Sequence, residues 1–285
     1  MVLVEGVLEV AGDLVGGPVG VVGTLVDHRE RCVLEVVLGD GRAAVVKGDL
    51  DPERSEREAG VLVAAARASV PVPAVLARAA GPPAVLVLER VAGGWLAPDR
   101  PERAWQAAGA ALRSLHGTPV PGLPGLAGER DWEAGVERVL AYGQDTAVAA
   151  GLPADTVATV RPRAERLVAE WAATGRDATL HGDCMPIHVR LDGADRVVGL
   201  LDLGDACRGD AAWDIAVLTM RSPERLPAVL DGYGADRTLG RSVERSWPVY
   251  RAVRLVAEVG WLADHGYDPA AGIREATTAS RRLGA

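Results

Sequence analysis

Two acidic residues of this chain lie at the ends of short apolar runs, where their carboxylates could act together. Asp183 follows His181-Gly182, and Asp202 follows the apolar run Val197–Leu201. A carboxylate close to a substrate hydroxyl can accept its proton, and such general-base assistance contributes ~10²–10⁴-fold. A second carboxylate can hold Mg²⁺, which prefers oxygen ligands and often takes only one or two of them from the protein. Phosphoryl transfer needs this division of work, because its catalysis is mostly positioning and charge neutralisation.

Two further residues stand out by their type. Lys47 is the one lysine in a chain that has thirty arginines and neither Asn nor Phe. This bias is typical of GC-rich coding, so a lysine kept against it favours a task suited to a compact ammonium, such as holding phosphates. His188 follows Asp183 by five residues. Three roles stay open for it: ligand of a second metal ion, hydrogen-bond partner of Asp183 or of a phosphate, or a sign that the site has decayed.

In combination, these motifs resemble the aminoglycoside phosphotransferase and choline kinase family. The resemblance rests on His181-Gly-Asp183, on Leu201-Asp202-Leu203 and on Gly209-Asp-Ala-Ala-Trp-Asp-Ile-Ala216, and it covers roughly residues 19–265. It departs from the family pattern at His188, where the family has Asn. Imidazole suits Mn²⁺ or Zn²⁺ better than Mg²⁺, so this departure opens the use of Mn²⁺.

The resemblance implies a role for each candidate site residue, with ATP and Mg²⁺ as cofactors. It implies that Asp183 is the catalytic base and that Asp202 and His188 are metal ligands. Lys47 would bind the α- and β-phosphates, with Glu58 as its ion-pair partner. The backbone carbonyl of Glu89 and the backbone amide of Val91 would bind the adenine. His181 and His116 are expected to be structural. Asp210 and Asp214 are expected to cap and anchor the helix that follows them.

The elements that position these residues can be predicted from local patterns. Gly39-Asp40-Gly41 between two Val-rich runs predicts a hairpin, and Asp51-Pro52-Glu53 predicts a helix start. With the runs near residues 19–26, 75–76 and 84–88, the order is three strands, one helix and two strands. Beyond the linker Ala92-Gly93-Gly94 the pattern becomes helical. We therefore expect an α+β, two-lobed, protein-kinase-like fold: a nucleotide-binding lobe of residues 1–91, with a small antiparallel sheet and one helix, and a mainly helical catalytic and acceptor-binding lobe of residues 92–285.

Composition excludes several classes of protein. The net charge of −8 argues against a nucleic-acid surface. No apolar run approaches the ~18 residues of a membrane span, and the acidic first residues are unlike a signal peptide. Three cysteines at unrelated spacings argue against a disulfide framework or a four-ligand zinc site. We expect a cytoplasmic protein with reduced thiols and without nucleic-acid or membrane partners; the sequence does not indicate its oligomeric state.

The charge distribution bears on the acceptor. Acidic residues exceed basic ones in residues 120–216, and a cleft of that charge attracts a cationic substrate; alternatively, these are solvated helix faces. A small basic excess in residues 217–285 argues against a polycationic acceptor. Residues 26–31 contain no glycine, and we expect Arg29 and Arg31 there to lie in a solvated turn rather than on phosphate.

The leading interpretation is an ATP-dependent O-phosphotransferase that acts on a hydroxyl of a small molecule. The resemblance implies an antibiotic acceptor, an aminoglycoside or another amine-bearing and cationic antibiotic, and hence resistance or self-resistance. The alternatives are a nucleotide-binding pseudokinase that serves as an interaction module, and a metabolic kinase for an amino alcohol or sugar. A protein kinase is disfavoured, because only seven residues separate Asp202 from Asp210, which leaves no room for a long activation loop.

Overall fold

The computed structural model describes residues 2–28, 30–173 and 177–284. Its helices, in chain order, are α1 (Val2–Val15), α2 (Pro52–Arg67), α3 (Glu102–His116), α4 (Trp132–Tyr142), α5 (Ala154–Ala172), α6 (Ala212–Thr219), α7 (Leu226–Tyr233), α8 (Arg237–Asp264) and α9 (Ala270–Gly284). Its strands are β1 (Val19–Asp27), β2 (Arg31–Leu38), β3 (Ala43–Asp49), β4 (Val75–Ala79), β5 (Ala84–Glu89), β6 (Gly94–Trp95), β7 (Ala178–Leu180), β8 (Val189–Leu191), β9 (Val197–Leu200) and β10 (Cys207–Gly209).

The chain forms two compact units. The first consists of Met1–Ala97 with Ile187–Ala206, and the second of Pro98–Pro186 with Cys207–Ala285. The first holds an antiparallel sheet, and the second is mainly helical, so the expected α+β class is confirmed. Nucleotide binding by residues 1–91 and acceptor binding by residues 92–285 stay predictions.

The main sheet of the first unit has the strand order β1-β2-β3-β5-β4, with every neighbouring pair antiparallel. The β2–β3 hairpin turns at the predicted place, where the backbone N–H of Gly41 donates to the carbonyl of Leu38 at 2.8 Å. The predicted helix start is also confirmed, because Asp51 caps α2 through the backbone N–H groups of Glu53 and Arg54. Lys47 therefore lies on the central strand of the sheet.

Helix α1 was not predicted from the sequence, which indicated only one helix in this part of the chain. Val7 and Ala11 are fully buried against the sheet. The contact is so close that a Cβ atom on Gly48 would lie 2.2 Å from Cγ2 of Val7. Valine is a weak helix former, so packing on the sheet rather than local propensity stabilises α1.

A second, three-stranded sheet of the first unit, β6-β8-β9, carries the segment that ends at Asp202. The segment is fixed at two points by its backbone. The N–H of Leu200 donates to the carbonyl of Pro71 at 2.7 Å, and the N–H of Leu201 donates to the carbonyl of His188 at 2.8 Å. These bonds hold His188 and Asp202 close together although fourteen residues separate their positions.

An aromatic cluster supports the loop that follows β7 in the second unit. The rings of Trp132, Trp213 and Tyr250 meet edge to face, with centroid distances of 5.6 to 5.8 Å. Such pairs contribute ~0.5–1.5 kcal/mol each beyond their buried area. The indole N–H of Trp213 also donates to the carbonyl of Gly182 at 2.8 Å. The cluster therefore fixes the backbone next to Asp183.

Two expectations about the chain as a whole can be compared with the structure. The three cysteines are buried free thiols. Among the described residues, each helix is either too short or too polar to cross a membrane.

Candidate active site

Three charged side chains of the first unit form a buried cluster. The ammonium of Lys47 lies 2.5 Å from Oε1 of Glu58 and 2.8 Å from Oδ1 of Asp202. Glu58 comes from the face of α2 that also buries Val61 and Leu62. The exposed fractions of Lys47 and Glu58 are only 8% and 4%. The structure thus brings together three residues that the sequence analysis selected from distant segments.

The charges within the cluster keep Lys47 and Asp202 ionised. Burial lowers the pKa of Lys47, but the carboxylates of Glu58 and Asp202 outweigh this effect and raise it above its usual value. Burial of Asp202 favours its neutral form, yet Lys47 and Arg31, followed by His188, hold its pKa well below the usual range. A carboxylate that stays ionised in a partly buried place is suited to binding a cation.

Arg31 was wrongly expected to lie in a solvated turn. It is the first residue of β2, and its guanidinium donates to Oδ1 of Asp202 at 2.5 Å with a side chain that is 17% exposed. The pairing joins residues 171 positions apart, so no local pattern could have indicated it. Arg29 lies outside the described residues.

The backbone at Asp202 has an uncommon conformation, with φ 60° and ψ 59°. This left-handed region is disfavoured for residues with a Cβ atom, and Asp is among the few that visit it. Non-glycine residues in this region often mark functional sites. The conformation lies at the point where the chain leaves β9, so it sets the direction of the Asp202 carboxylate.

His188 is placed near Asp202 but not in direct contact with it. Its Nε2 lies 3.9 Å from Oδ2 of Asp202, a separation that leaves room for both atoms to ligate one cation. Within the described ranges, no group of three or more His, Cys, Asp or Glu side chains could hold a metal ion by itself. The donor set therefore fits a cation that nucleotide phosphates also bind, as is usual for Mg²⁺, and does not fit a cage made only of protein.

The two predicted adenine-binding residues lie at the end of β5. Glu89 is the last residue of that strand, and its backbone N–H donates to the carbonyl of Ala74 at 2.9 Å. Val91 packs on β9, because a Cβ atom on Gly199 would lie 3.0 Å from its Cγ1. The backbone that is predicted to bind adenine is thus packed on the strand that leads to Asp202.

Asp183 lies in the second unit, in a loop whose backbone is fixed by Asp214. Gly182 has a φ of +85°, a conformation that glycine adopts without strain. The fully buried carboxylate of Asp214 accepts hydrogen bonds from the backbone N–H groups of His181 at 2.7 Å and Gly182 at 3.0 Å. Its Oδ2 also lies 3.0 Å from Nε2 of His116. Asp183 itself remains 26% exposed, so its carboxylate is accessible.

Asp214 was expected to cap the helix that follows it, and this expectation is wrong. Asp214 lies inside α6, and its carboxylate oxygens accept hydrogen bonds from the backbone of the loop at His181 and Gly182 rather than from the end of the helix. Asp210 fits the expected capping role, because its Oδ1 accepts from the backbone N–H of Ala212 at 3.0 Å. His116 is structural, as predicted: it joins Asp214 to the hydroxyl of Tyr233, which lies 2.8 Å from its Nδ1.

Arg254 of α8 was missed by the sequence analysis, and it contacts the candidate base directly. One of its guanidinium N–H groups donates to Oδ1 of Asp183 at 2.9 Å. The pair is partly buried, so it is stronger than an exposed surface pair. No signal in the sequence distinguishes Arg254 from the other arginines.

Cys184, the neighbour of Asp183, is excluded as a nucleophile. Its side chain is fully buried. Burial, followed by the charges of Asp214 and Asp183, raises the pKa of its thiol well above the usual value. The reactive form of cysteine is the thiolate, so this residue is inert.

The chain is also similar to known proteins in sequence and in fold. A sequence profile described as phosphotransferase enzyme family (APH) matches residues 31–254. Aminoglycoside phosphotransferase APH(4)-Ia has a similar structure, with a TM-score of 0.68 at 17% identity over 100% of this chain and 99% of that one. Aminoglycoside phosphotransferase APH(3'')-Id from Streptomyces rimosus, in complex with ADP and streptomycin, has a TM-score of 0.58 at 21% identity over 87% and 97%. An aminoglycoside-3'-phosphotransferase of type VIII has a TM-score of 0.57 at 26% identity over 86% and 98%. No curated protein matches the chain.

Proposed function

Because the chain belongs to the phosphotransferase enzyme family, we propose that this small-molecule kinase transfers the γ-phosphoryl group of ATP to a hydroxyl group of an antibiotic. The observation that carries the proposal is the ammonium of Lys47 between the carboxylates of Glu58 and Asp202. This arrangement provides a cation for phosphates and an ionised acid for a metal ion within one cluster. Solved relatives have been crystallised with ADP and hygromycin B, and with ADP and streptomycin, which supports both the nucleotide and the antibiotic.

In this proposal the first unit binds the nucleotide. Lys47, held in place by Glu58, neutralises the α- and β-phosphates, and Arg31 adds a second positive charge at the same carboxylate of Asp202. The backbone carbonyl of Glu89 and amide of Val91 bind the adenine. Positioned cations lower the energy of the charge that develops during phosphoryl transfer. The phosphates compete with Asp202 for Lys47 and Arg31, so nucleotide binding frees the Asp202 carboxylate.

Asp202 and His188 are the residues that would hold a divalent cation. When bound together with the phosphates, Mg²⁺ or Mn²⁺ would neutralise negative charge on the γ-phosphoryl group that is transferred. The imidazole of His188 favours Mn²⁺ more than an amide would.

Asp183 is the general base for the acceptor hydroxyl. The hydroxyl oxygen forms a new bond to the γ-phosphorus while the bond from that phosphorus to the β–γ bridging oxygen breaks. The hydroxyl proton passes to the carboxylate of Asp183, and ADP leaves with the bridging oxygen. Arg254 orients the carboxylate through its 2.9 Å hydrogen bond, and Asp214 holds the loop backbone during the step.

We propose an amine-bearing antibiotic as the acceptor and resistance as the consequence. The acidic excess in residues 120–216 supports an acceptor with a positive charge. The pairing of Asp183 with Arg254 supports an acceptor with few charges over a polycationic one, because Arg254 repels a second cation at the base.

The test combines growth with a direct assay. A sensitive host that carries the gene is grown on a panel of hydroxylated aminoglycoside, peptide and nucleoside antibiotics, and the purified protein is assayed for acceptor-dependent ADP release. The Asp183→Asn variant should still be stabilised by ATP but lose at least ~10²-fold in turnover. Retention of most of its turnover would remove the assigned base.

The same assay separates the proposed kinase from an interaction module. A pseudokinase would bind ATP without releasing ADP on any acceptor. Lys47, Asp202 and Asp183 are all retained, and each is placed by hydrogen bonds, which supports an active enzyme.

A further inference from the structure

The second unit contains a large cavity that is lined by neither Asp183 nor Arg254. Its volume is about 1250 Å³, and it opens to solvent between the ends of α3, α5 and α7 and the first turns of α8. Small-molecule sites commonly enclose ~300–1,000 Å³, so the cavity can hold a ligand of the size of a nucleotide or larger.

A row of arginines forms one wall of the cavity. Arg237, Arg241 and Arg245 follow each other at intervals of four residues on α8, and Arg113 lines the cavity from α3. Residues at that interval lie on the same face of a helix, ~6 Å apart along its axis. Arg113 donates to the carbonyls of Tyr233 and Gly234, and within the described ranges it forms no ion pair with a carboxylate.

The three arginines of α8 are all exposed to solvent. Among the described residues, none of their guanidinium groups takes part in a hydrogen bond or ion pair. Like charges four residues apart repel each other on a helix. Arg237 also lies in the first turn of α8, where the helix dipole disfavours positive charge. Local preferences are most often violated at functional sites, and this arrangement becomes favourable when an anion binds.

Three of the four acidic residues of the cavity wall already accept hydrogen bonds from other groups. Asp236 caps α8 through the backbone N–H groups of Thr238 and Leu239, and Asp177 pairs with Arg208 at 3.3 Å. Asp210 accepts a hydrogen bond from the hydroxyl of Tyr250 at 2.9 Å. Glu170 is the remaining acid of the wall. The wall as a whole holds four acids and four arginines, but within the described part of the chain none of these acids forms an ion pair with an arginine of α8, so those three guanidinium groups are available to an anion.

We propose that this cavity binds a small molecule that carries two or more phosphate groups. Guanidinium groups bind phosphate oxygens with paired hydrogen bonds, and several of them in one wall select a ligand with several phosphates. Trp171 and Tyr233 also line the cavity. Since Tyr233 bonds His116, which bonds Asp214, an occupant lies close to the side chains that hold the loop of Asp183. The site does not depend on the proposed function.

Calorimetric titration of the full-length protein with inorganic pyrophosphate tests the proposal. Wild type is compared with the double variant Arg241→Ala/Arg245→Ala, and with the control Arg274→Ala/Arg281→Ala, which removes the same charge from exposed positions of α9. We expect the first double variant to lose at least tenfold in affinity at one site and the control to lose less than twofold. Circular dichroism establishes that both variants are folded.

A further variant separates the cavity from the nucleotide-binding residues, which also attract pyrophosphate. Lys47→Ala should keep the binding that depends on Arg241 and Arg245. The proposal is overturned by any of three results: no pyrophosphate binding to wild type at millimolar concentration, equal binding to wild type and Arg241→Ala/Arg245→Ala, or loss of all binding in Lys47→Ala.

Discussion

Removing the carboxylate of Asp214 should destabilise the second unit strongly, because this side chain is the shared acceptor for three groups. It is fully buried, and it accepts from the backbone N–H groups of His181 and Gly182 and contacts Nε2 of His116. A buried donor left without an acceptor costs ~1–3 kcal/mol. Asp214→Ala leaves three such donors, and the variant no longer has to bury a charge, so we expect a net loss of ~3–6 kcal/mol.

The more conservative Asp214→Asn keeps one acceptor oxygen but turns an amide N–H group toward a backbone N–H. We expect this variant to lose ~1–3 kcal/mol of its free energy of unfolding, because it cannot form all the hydrogen bonds that the carboxylate forms. The assay is thermal unfolding followed by circular dichroism. A free-energy loss of that order in a chain of this size lowers the melting temperature by ~2–4 °C per kcal/mol, so Asp214→Ala should melt ~6–24 °C below wild type.

Asp268→Ala serves as the matched control. Asp268 is exposed, and its carboxylate accepts from one backbone N–H, that of Ala270 at 2.9 Å. Loss of such a cap costs ~1 kcal/mol. If Asp214→Ala melts within two degrees of this control, the three hydrogen bonds do not stabilise the fold as calculated, and the positioning of the loop by Asp214 has to be abandoned.

Four further outcomes follow from the site. Lys47→Arg should lose the rise in melting temperature that ATP gives to wild type, because a guanidinium does not fit between the two carboxylates; an affinity for ATP within twofold of wild type would contradict this. His188→Asn should lower the ratio of ADP-release rates in Mn²⁺ and Mg²⁺, and an unchanged ratio would exclude His188 as a metal ligand. Arg254→Met should lower turnover at least tenfold while ATP still stabilises the protein, and full turnover would remove its role in orienting Asp183. Burial raises the pKa of Asp210. Its contribution to the free energy of unfolding is therefore greatest at low pH, and it falls as the pH rises from about 4 toward the raised pKa. Asp210→Asn should flatten this part of the curve of melting temperature against pH, and an unchanged curve would refute the raised pKa of Asp210.

Features governed by neighbouring residues could be predicted from the sequence. The Asp51-Pro52-Glu53 start of α2 and the turn at Gly39–Gly41 follow from local backbone preferences, and the structure has both. Glu58 shares the buried face of α2 with Val61 and Leu62, as the spacing of these residues on a helix requires, and there it meets Lys47. Helix α1 could not be predicted in this way, since its valines disfavour helix and only the sheet beneath Val7 and Ala11 stabilises it.

The residues missed at the site are arginines, and composition explains why. Lys47 could be selected because it is the one lysine in a chain that has replaced nearly every other with arginine. Each arginine is one of thirty, so its type carries almost no information about function. Arg31 and Arg254 matter because they pair with carboxylates that are 171 and 71 positions away in the sequence. The arginines of α8 matter because they line a cavity. In an arginine-rich chain, therefore, a positive charge becomes informative only through its three-dimensional partners, or through the lack of them, and each such charge has to be judged by whether the fold neutralises it.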